Sequence, residues 1–308
     1  MTGRGLEQTN TPMMHLMHSQ TAKTVILAMG LAMAGCSPSE STTPVATAQV
    51  TLSRAKLALG APVDITFRFE VSESAPAVTG DYRVLVHFLD ADDELMWTDD
   101  HDPPKAPSTW KPGDTIEYTR TVFIPIYPYI GPASVHIGLY SPTDQRRLSL
   151  IGDDAGQQTY RVATLELLPQ SENVFLVYED GWHPAEIAED NALVEWQWTS
   201  ADAVVAFRNP GRDGELFLDL DGRPDRFERP QTVTITAGDA TLDEFSVATR
   251  ERILRRIPMA VSQFGPDEMI RVHIVADQTF VPAQLPDGNT ADARELGVRV
   301  FHAFLDPH

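Results

Sequence analysis

The stretch that decides the fold is VDITFRFEV, residues 63–71. Val63, Ile65, Phe67, Phe69 and Val71 fall on one side of an extended chain, and Asp64, Thr66, Arg68 and Glu70 on the other. Successive side chains of a strand point to opposite faces, so this alternation predicts a half-buried antiparallel strand with five apolar residues facing a core. Nothing in it has the 3.6-residue period of a helix.

The same period recurs outward. YRVLVHFLD (82–90) is apolar on both faces apart from His87, which predicts a central strand. DTIEYTRTVFIPI, ASVHIGLYSP, RRLSL and TYRVATLELL follow, punctuated by Pro and Gly turns. This first unit spans 49–169 and predicts an Ig-like β-sandwich. PQSEN (169–173) marks a boundary. Beyond it, in 173–308, VEWQWTS places Val194, Trp196 and Trp198 on one face, where the two indoles read as core. AVVAFRNPGRDGELFLDLDG turns Leu216, Leu218 and Leu220 inward, and QTVTITAG, MIRVHIVAD and LGVRVFHAFLD continue the pattern. A second sandwich, jelly-roll-like, is predicted there. The fold class is therefore all-β, two consecutive antiparallel β-sandwich domains, with short helices expected only near 184–190 and 259–263.

The N-terminus reads differently. An apolar run from about Thr24 to Ala34 follows Lys23 and precedes Cys36, the chain's one cysteine. It is too short to span a bilayer, which takes about 20 residues, and has the length of a signal-peptide core. With Ala34 and Gly35 before Cys36, the stretch resembles the lipobox of bacterial lipoproteins, although Met33 stands where Leu is usual. The resemblance implies cleavage after residue 35, acylation of Cys36 and a membrane partner reached through the lipid. Ser37 rather than Asp implies the outer membrane, facing the periplasm or the cell surface. Met13, Met14 and Met17 are alternative starts. Residues 36–48 read as the lipidated cysteine and a flexible tether.

Composition narrows function. The formal net charge is −20, and the removed segment carries Arg4 and Lys23 against Glu7, leaving the mature part near −21. Such a surface repels phosphate backbones, so nucleic acid is excluded as a partner. With Cys36 acylated no thiol remains for a disulfide or a nucleophile. There is no Gly-x-Ser-x-Gly elbow and no phosphate loop. Nothing selects a carboxylate pair for glycoside hydrolysis, so a non-catalytic protein without cofactor is expected.

Two acidic clusters raise the question of a metal. DDHDPP offers Asp99, Asp100, His101 and Asp102, which would suit a divalent cation such as calcium or an acid/base pair. The plainer reading is a solvated, proline-stiffened loop. DLDGRPD holds Asp219, Asp221 and Asp225 but lacks the acidic twelfth position of a calcium loop, where Pro230 stands, and reads as a turn. The aromatic residues Trp97, Trp110, Tyr127, Tyr129 and Trp182 lie in or beside predicted turns. Exposed rings there would stack on sugar C–H faces; the alternative is structural packing.

The segments YRVLVHFLDADDELMWTDDHDPP, WKPGDTIEYTRTVFIP and GPASVHIGLYSPTDQRRLSL are similar to modules of bacterial envelope-polysaccharide proteins. They resemble the Ig-like carbohydrate-binding domain of O-antigen exporters. WTSADAVVAFRNP, LDLDGRPD and RELGVRVFHAFLDP resemble galactose-binding-like sandwiches. The resemblance implies an envelope polysaccharide as ligand. A protein-interaction subunit of an envelope assembly is the alternative, and a glycan-active hydrolase the third.

Overall fold

A computed structural model of the chain describes residues 43–170, 176–189, 191–286 and 290–308. The signal segment 1–35 with its alternative starts Met13, Met14 and Met17, the acylated Cys36 and most of the tether lie outside the described residues, as does the boundary at 171–173.

The fold is all-β. In the strand Pro62–Val71, Val63, Ile65, Phe67, Phe69 and Val71 are all buried, Phe67 and Phe69 completely. The strand pairs antiparallel with Ala46–Leu52 on one side and Thr115–Phe123 on the other. Its sheet runs Thr115–Phe123, Pro62–Val71, Ala46–Leu52, Leu150–Ile151, the last pairing being parallel. The facing sheet places Arg83–Leu89 between Gly131–Tyr140 and Leu95–Thr98, with Tyr160–Leu168 beyond. Arg83–Leu89 is thus the central strand its two-sided apolarity implied. Phe67, Phe69, Phe88, Ile137, Leu139 and Leu167 fill the space between the sheets. Each such side chain contributes about 1.5–3 kcal/mol on burial.

The tether is shorter than its composition implied. The strand Ala46–Leu52 begins inside it, and Val45, Ala46 and Ala48 are buried. Ala46 lies opposite Val71 on one side and Leu150 on the other, so backbone ladders on both edges fix a stretch whose small side chains look like linker.

The second sandwich has two five-stranded sheets. One runs Leu176–Tyr178, Asp202–Arg208, Met269–Ala276, Gln231–Ala237, Ala240–Val247; the other runs Glu186–Ile187, Glu195–Trp198, Arg299–Pro307, Gly214–Asp221, Ile253–Met259. Leu216, Leu218 and Leu220 meet Val233, Ile235, Val272 and Ile274 in its core. The turn near 259–263 is a short 3-10 helix, Val261–Gln263. The helix expected near 184–190 is absent among the described residues: Glu186–Ile187 instead pairs with Trp196 and Glu195 as a strand, whose ladder takes up backbone groups a helix would have used.

The sandwiches share a junction. Phe123 stacks flat on His302, centroids 4.2 Å apart, and meets Phe217 edge-on at 6.3 Å. Arg256 Nη1 donates to Asp64 Oδ2 at 2.9 Å, and Arg54 pairs with Asp306.

Candidate binding cleft at the junction of the sandwiches

Leu95–Thr98 and Thr115–Phe123 are each the outermost strand of their sheet, so the first sandwich ends there in two open edges. The strands Gly214–Asp221, Ile253–Met259 and Arg299–Pro307 of the second sandwich supply the opposite wall. On Gly214–Asp221 the leucines take the core face, which leaves Phe217, Asp219 and Asp221 on the outer face; the first sandwich and neighbouring arginines bury them. Between the walls is a cleft of about 470 Å³, rimmed by Leu193 and Val194.

Its charged groups come as two dyads, one from each sandwich. Arg120 Nε and Nη2 donate to the two carboxylate oxygens of Asp99 at 3.1 and 3.0 Å. Arg252 grips Asp219 in the same bidentate way, and His302 Nδ1 donates to Asp219 Oδ2 at 3.0 Å. Burial alone would push the Asp219 carboxyl up; the hydrogen bond from His302 and the charge of Arg252 outweigh it and hold the group below the usual carboxylate range. From Arg252 a chain of ring contacts leads outward. Its guanidinium sits 4.0 Å from the Phe301 ring centroid, and Arg299 lies over Phe301 and Trp196 at 5.4 and 5.0 Å while bonding Asp221 at 2.7 and 2.5 Å.

The loop aromatics do not form the exposed platform that their positions in turns suggested. Trp97 is 4% exposed and stacks on Phe88 at 4.6 Å; it borders the cleft, and its Nε1 has no acceptor among the described residues. Trp110 is buried against Phe69 and donates to the Lys105 carbonyl at 2.9 Å. Tyr127 packs on Trp97, and Tyr129 donates to the Pro132 carbonyl at 2.6 Å. Trp182 packs on the second core and donates to the Val204 carbonyl at 2.7 Å. Each ring pins its loop by burial and, Trp97 and Tyr127 apart, by a hydrogen bond. Trp198 is buried as expected, but Trp196 is only partly so.

The acidic clusters also resolve into separate partners. Asp99 holds Arg120, Asp100 accepts from the Val86 amide at 2.9 Å, and Asp102 pairs with Arg83. His101 is buried, its Nδ1 2.9 Å from the Asp99 carbonyl and its Nε2 2.8 Å from the Tyr118 hydroxyl. Burial lowers the pKa of His101 and raises that of Tyr118. Asp219, Asp221 and Asp225 each face arginine, Asp225 taking both Arg223 and Arg250. Among the described residues no three His, Cys, Asp or Glu side chains gather as a metal site would require. Each acid of the two clusters is committed to an arginine or a backbone amide.

Arg120, Phe123 and Arg252 went unread in the sequence, and His302, whose place in a strand pattern marks it as a hydrogen-bonded structural histidine, does lie in a strand and bonds Asp219. A signal was present: RERILRRIPM (250–259) concentrates four arginines in a chain of net charge −20, and two of them, Arg250 and Arg252, pair with Asp225 and Asp219 of DLDGRPD.

A second, open hollow of about 500 Å³ lies beside Ala55, Asp93, Ser134, Arg161 and Glu166, with no aromatic residue in its wall.

No family model matches the chain, and no curated protein matches it significantly. Among solved structures it is similar to a family GH115 4-O-methyl-alpha-glucuronidase with specificity for decorated arabinogalactans (12% identity, TM-score 0.29, covering 48% of this chain and 19% of that one). It is also similar to the CBM51-2 and INT domains of Clostridium perfringens ZmpB, solved with GlcNAc (11%, TM-score 0.24, 58% and 38%). A third is the collagen adhesin of S. aureus (6%, TM-score 0.19, 87% and 99%). The chain spans well under two thirds of the first two. At these TM-scores the likenesses carry no argument about ligand or activity.

Proposed function

We propose that this chain is a lipid-anchored, non-catalytic protein of the bacterial envelope that binds a glycan in the cleft between its two sandwiches. The observation that carries the reading is the cleft itself. It sits at a junction of two units, where ligand sites concentrate, and it combines two Arg–Asp dyads with the stacked rings of Phe123 and His302 in its wall. Catalysis is disfavoured by the same geometry. A glycosidase acid needs a carboxyl raised toward neutrality, whereas His302 and Arg252 keep Asp219 ionised. The lipid anchor rests on the sequence around Cys36 and supports an outer-membrane address.

Calorimetric titration of the full chain with purified envelope glycans, with and without calcium, tests this reading. Saturable binding that weakens in Arg120→Ala and persists in Trp110→Phe is expected. A flat response across the glycans would sink it. One observation favours the alternative of a protein-interaction subunit: in IPIYPYI the tyrosines turn inward and Ile126 and Ile130 outward, 71% and 55% exposed. Crosslinking in the intact envelope through position 126 would reveal such a partner.

A further inference from the structure

The hydrogen-bond inventory of the two dyads goes further, and names a ligand class on the premise that the cleft is the glycan site. Each guanidinium spends Nε and Nη2 on its carboxylate. Neither Arg120 nor Arg252 uses its Nη1 in a hydrogen bond to another described residue, and their side chains are 37% and 41% exposed. An ionised carboxylate has about four acceptor positions. Asp99 gives up two of them to Arg120, and Asp219 gives up two to Arg252 and one to His302. Each dyad therefore keeps both donor and acceptor capacity, side by side.

We infer that the cleft takes an uncharged polyol, a neutral hexose chain read through hydroxyl pairs, and rejects acidic glycans. A hydroxyl is the group that donates and accepts at once. It can give its proton to Asp99 or Asp219 while accepting from the Nη1 of the neighbouring arginine, so neither dyad has to open. A ligand carboxylate or sulfate only accepts. To reach an arginine it must approach a carboxylate already seated there, inside a chain of net charge −20. An ammonium group meets the converse obstacle at Arg120 and Arg252. Phe123, Val122 and Leu254 in the cleft wall supply apolar surface for the C–H side of a sugar whose hydroxyls engage the dyads.

The test is a calorimetric titration of the full chain with hexasaccharides in two sets. The neutral set is β1,4-glucan, α1,4-glucan, β1,4-mannan and β1,4-galactan; the acidic set is galacturonan and mannuronan. The account expects at least one neutral chain to bind tighter than both acidic chains, with an affinity that changes little between low and high salt. Asp99→Asn should weaken that binding about 10- to 100-fold, the loss of a hydrogen bond to a charged group. Asn at 99 also loosens Arg120, so Leu193→Trp serves as the second variant. Leu193 is 46% exposed on the rim and outside both cores, and an indole there fills the cleft without touching the fold. Tighter binding of an acidic chain, blocked by Leu193→Trp, would overturn the neutral-ligand inference and leave the glycan-binding reading standing. No binding in either set overturns both.

Discussion

Replacing Asp219 by Asn tests the electrostatics of the junction. Asp219 is 7% exposed and receives three hydrogen bonds, two from Arg252 and one from His302. Asn keeps the shape, loses the charge and can still accept through one oxygen. A hydrogen bond to a charged group contributes about 1.5–3 kcal/mol net, and loss of one partner from a buried pair costs about 3–5 kcal/mol. Arg252 is 41% exposed and His302 39%, so water recovers part of that loss. The expected cost is about 2 kcal/mol at pH 7. Its pH dependence carries the sign. The folded-state pKa of Asp219 is depressed, so its contribution is full above the unfolded carboxyl value and fades as pH falls through the folded one. Urea denaturation followed by tryptophan fluorescence at pH 7 and pH 3 should show the wild-type advantage at the first and a smaller one at the second. No difference at pH 7, or an equal difference at both, would refute the reasoning.

Three further outcomes follow from named contacts. Trp110→Phe breaks the bond to the Lys105 carbonyl, whereas Trp97→Phe removes an indole N–H that has no acceptor among the described residues, so the first should cost about 1 kcal/mol more in matched denaturation curves; equal costs would contradict the assignment. Burial holds the folded pKa of His101 below 6.5, so the unfolded chain takes up a proton first and stability falls as pH drops below about 6.5. His101→Gln should reduce the acid-side slope by up to one proton, and an unchanged slope would be the contrary result. Gly181 has φ +81°, and a Cβ there would lie 1.9 Å from the Asp202 carbonyl oxygen, so Gly181→Ala should lose at least about 2 kcal/mol in a thermal melt.

Strand periodicity made most of the fold legible. VDITFRFEV and the alternation of Leu216, Leu218 and Leu220 each state which side is core, and the structure buries those sides. The strand at Ala46 was hidden because alanine and threonine look alike in linkers and in ladders paired on both sides. The site was harder to read, since it is assembled across 203 residues of chain, from Asp99 to His302. Sequence shows that Asp219 and Asp221 are acidic and close to a turn. It does not show that Arg252, just ahead of the strand Ile253–Met259, and Arg299, in the strand Arg299–Pro307, reach them and turn the acids into paired salt bridges. The loop tryptophans failed for a related reason: a turn position says where the backbone is, not where a large ring finds cover. Trp196, read as core, stands partly open beneath Arg299 because its strand lies near the edge of its sheet.

The central claim is that ligand enters the junction cleft. Hydrogen–deuterium exchange of the full chain with and without a saturating envelope glycan tests it most directly. Slowed exchange in Leu95–Asp100, Thr115–Phe123 and Ile253–Met259 is the result this account predicts. Binding with no protection there, or with protection confined to the hollow beside Ser134 and Arg161, would contradict it.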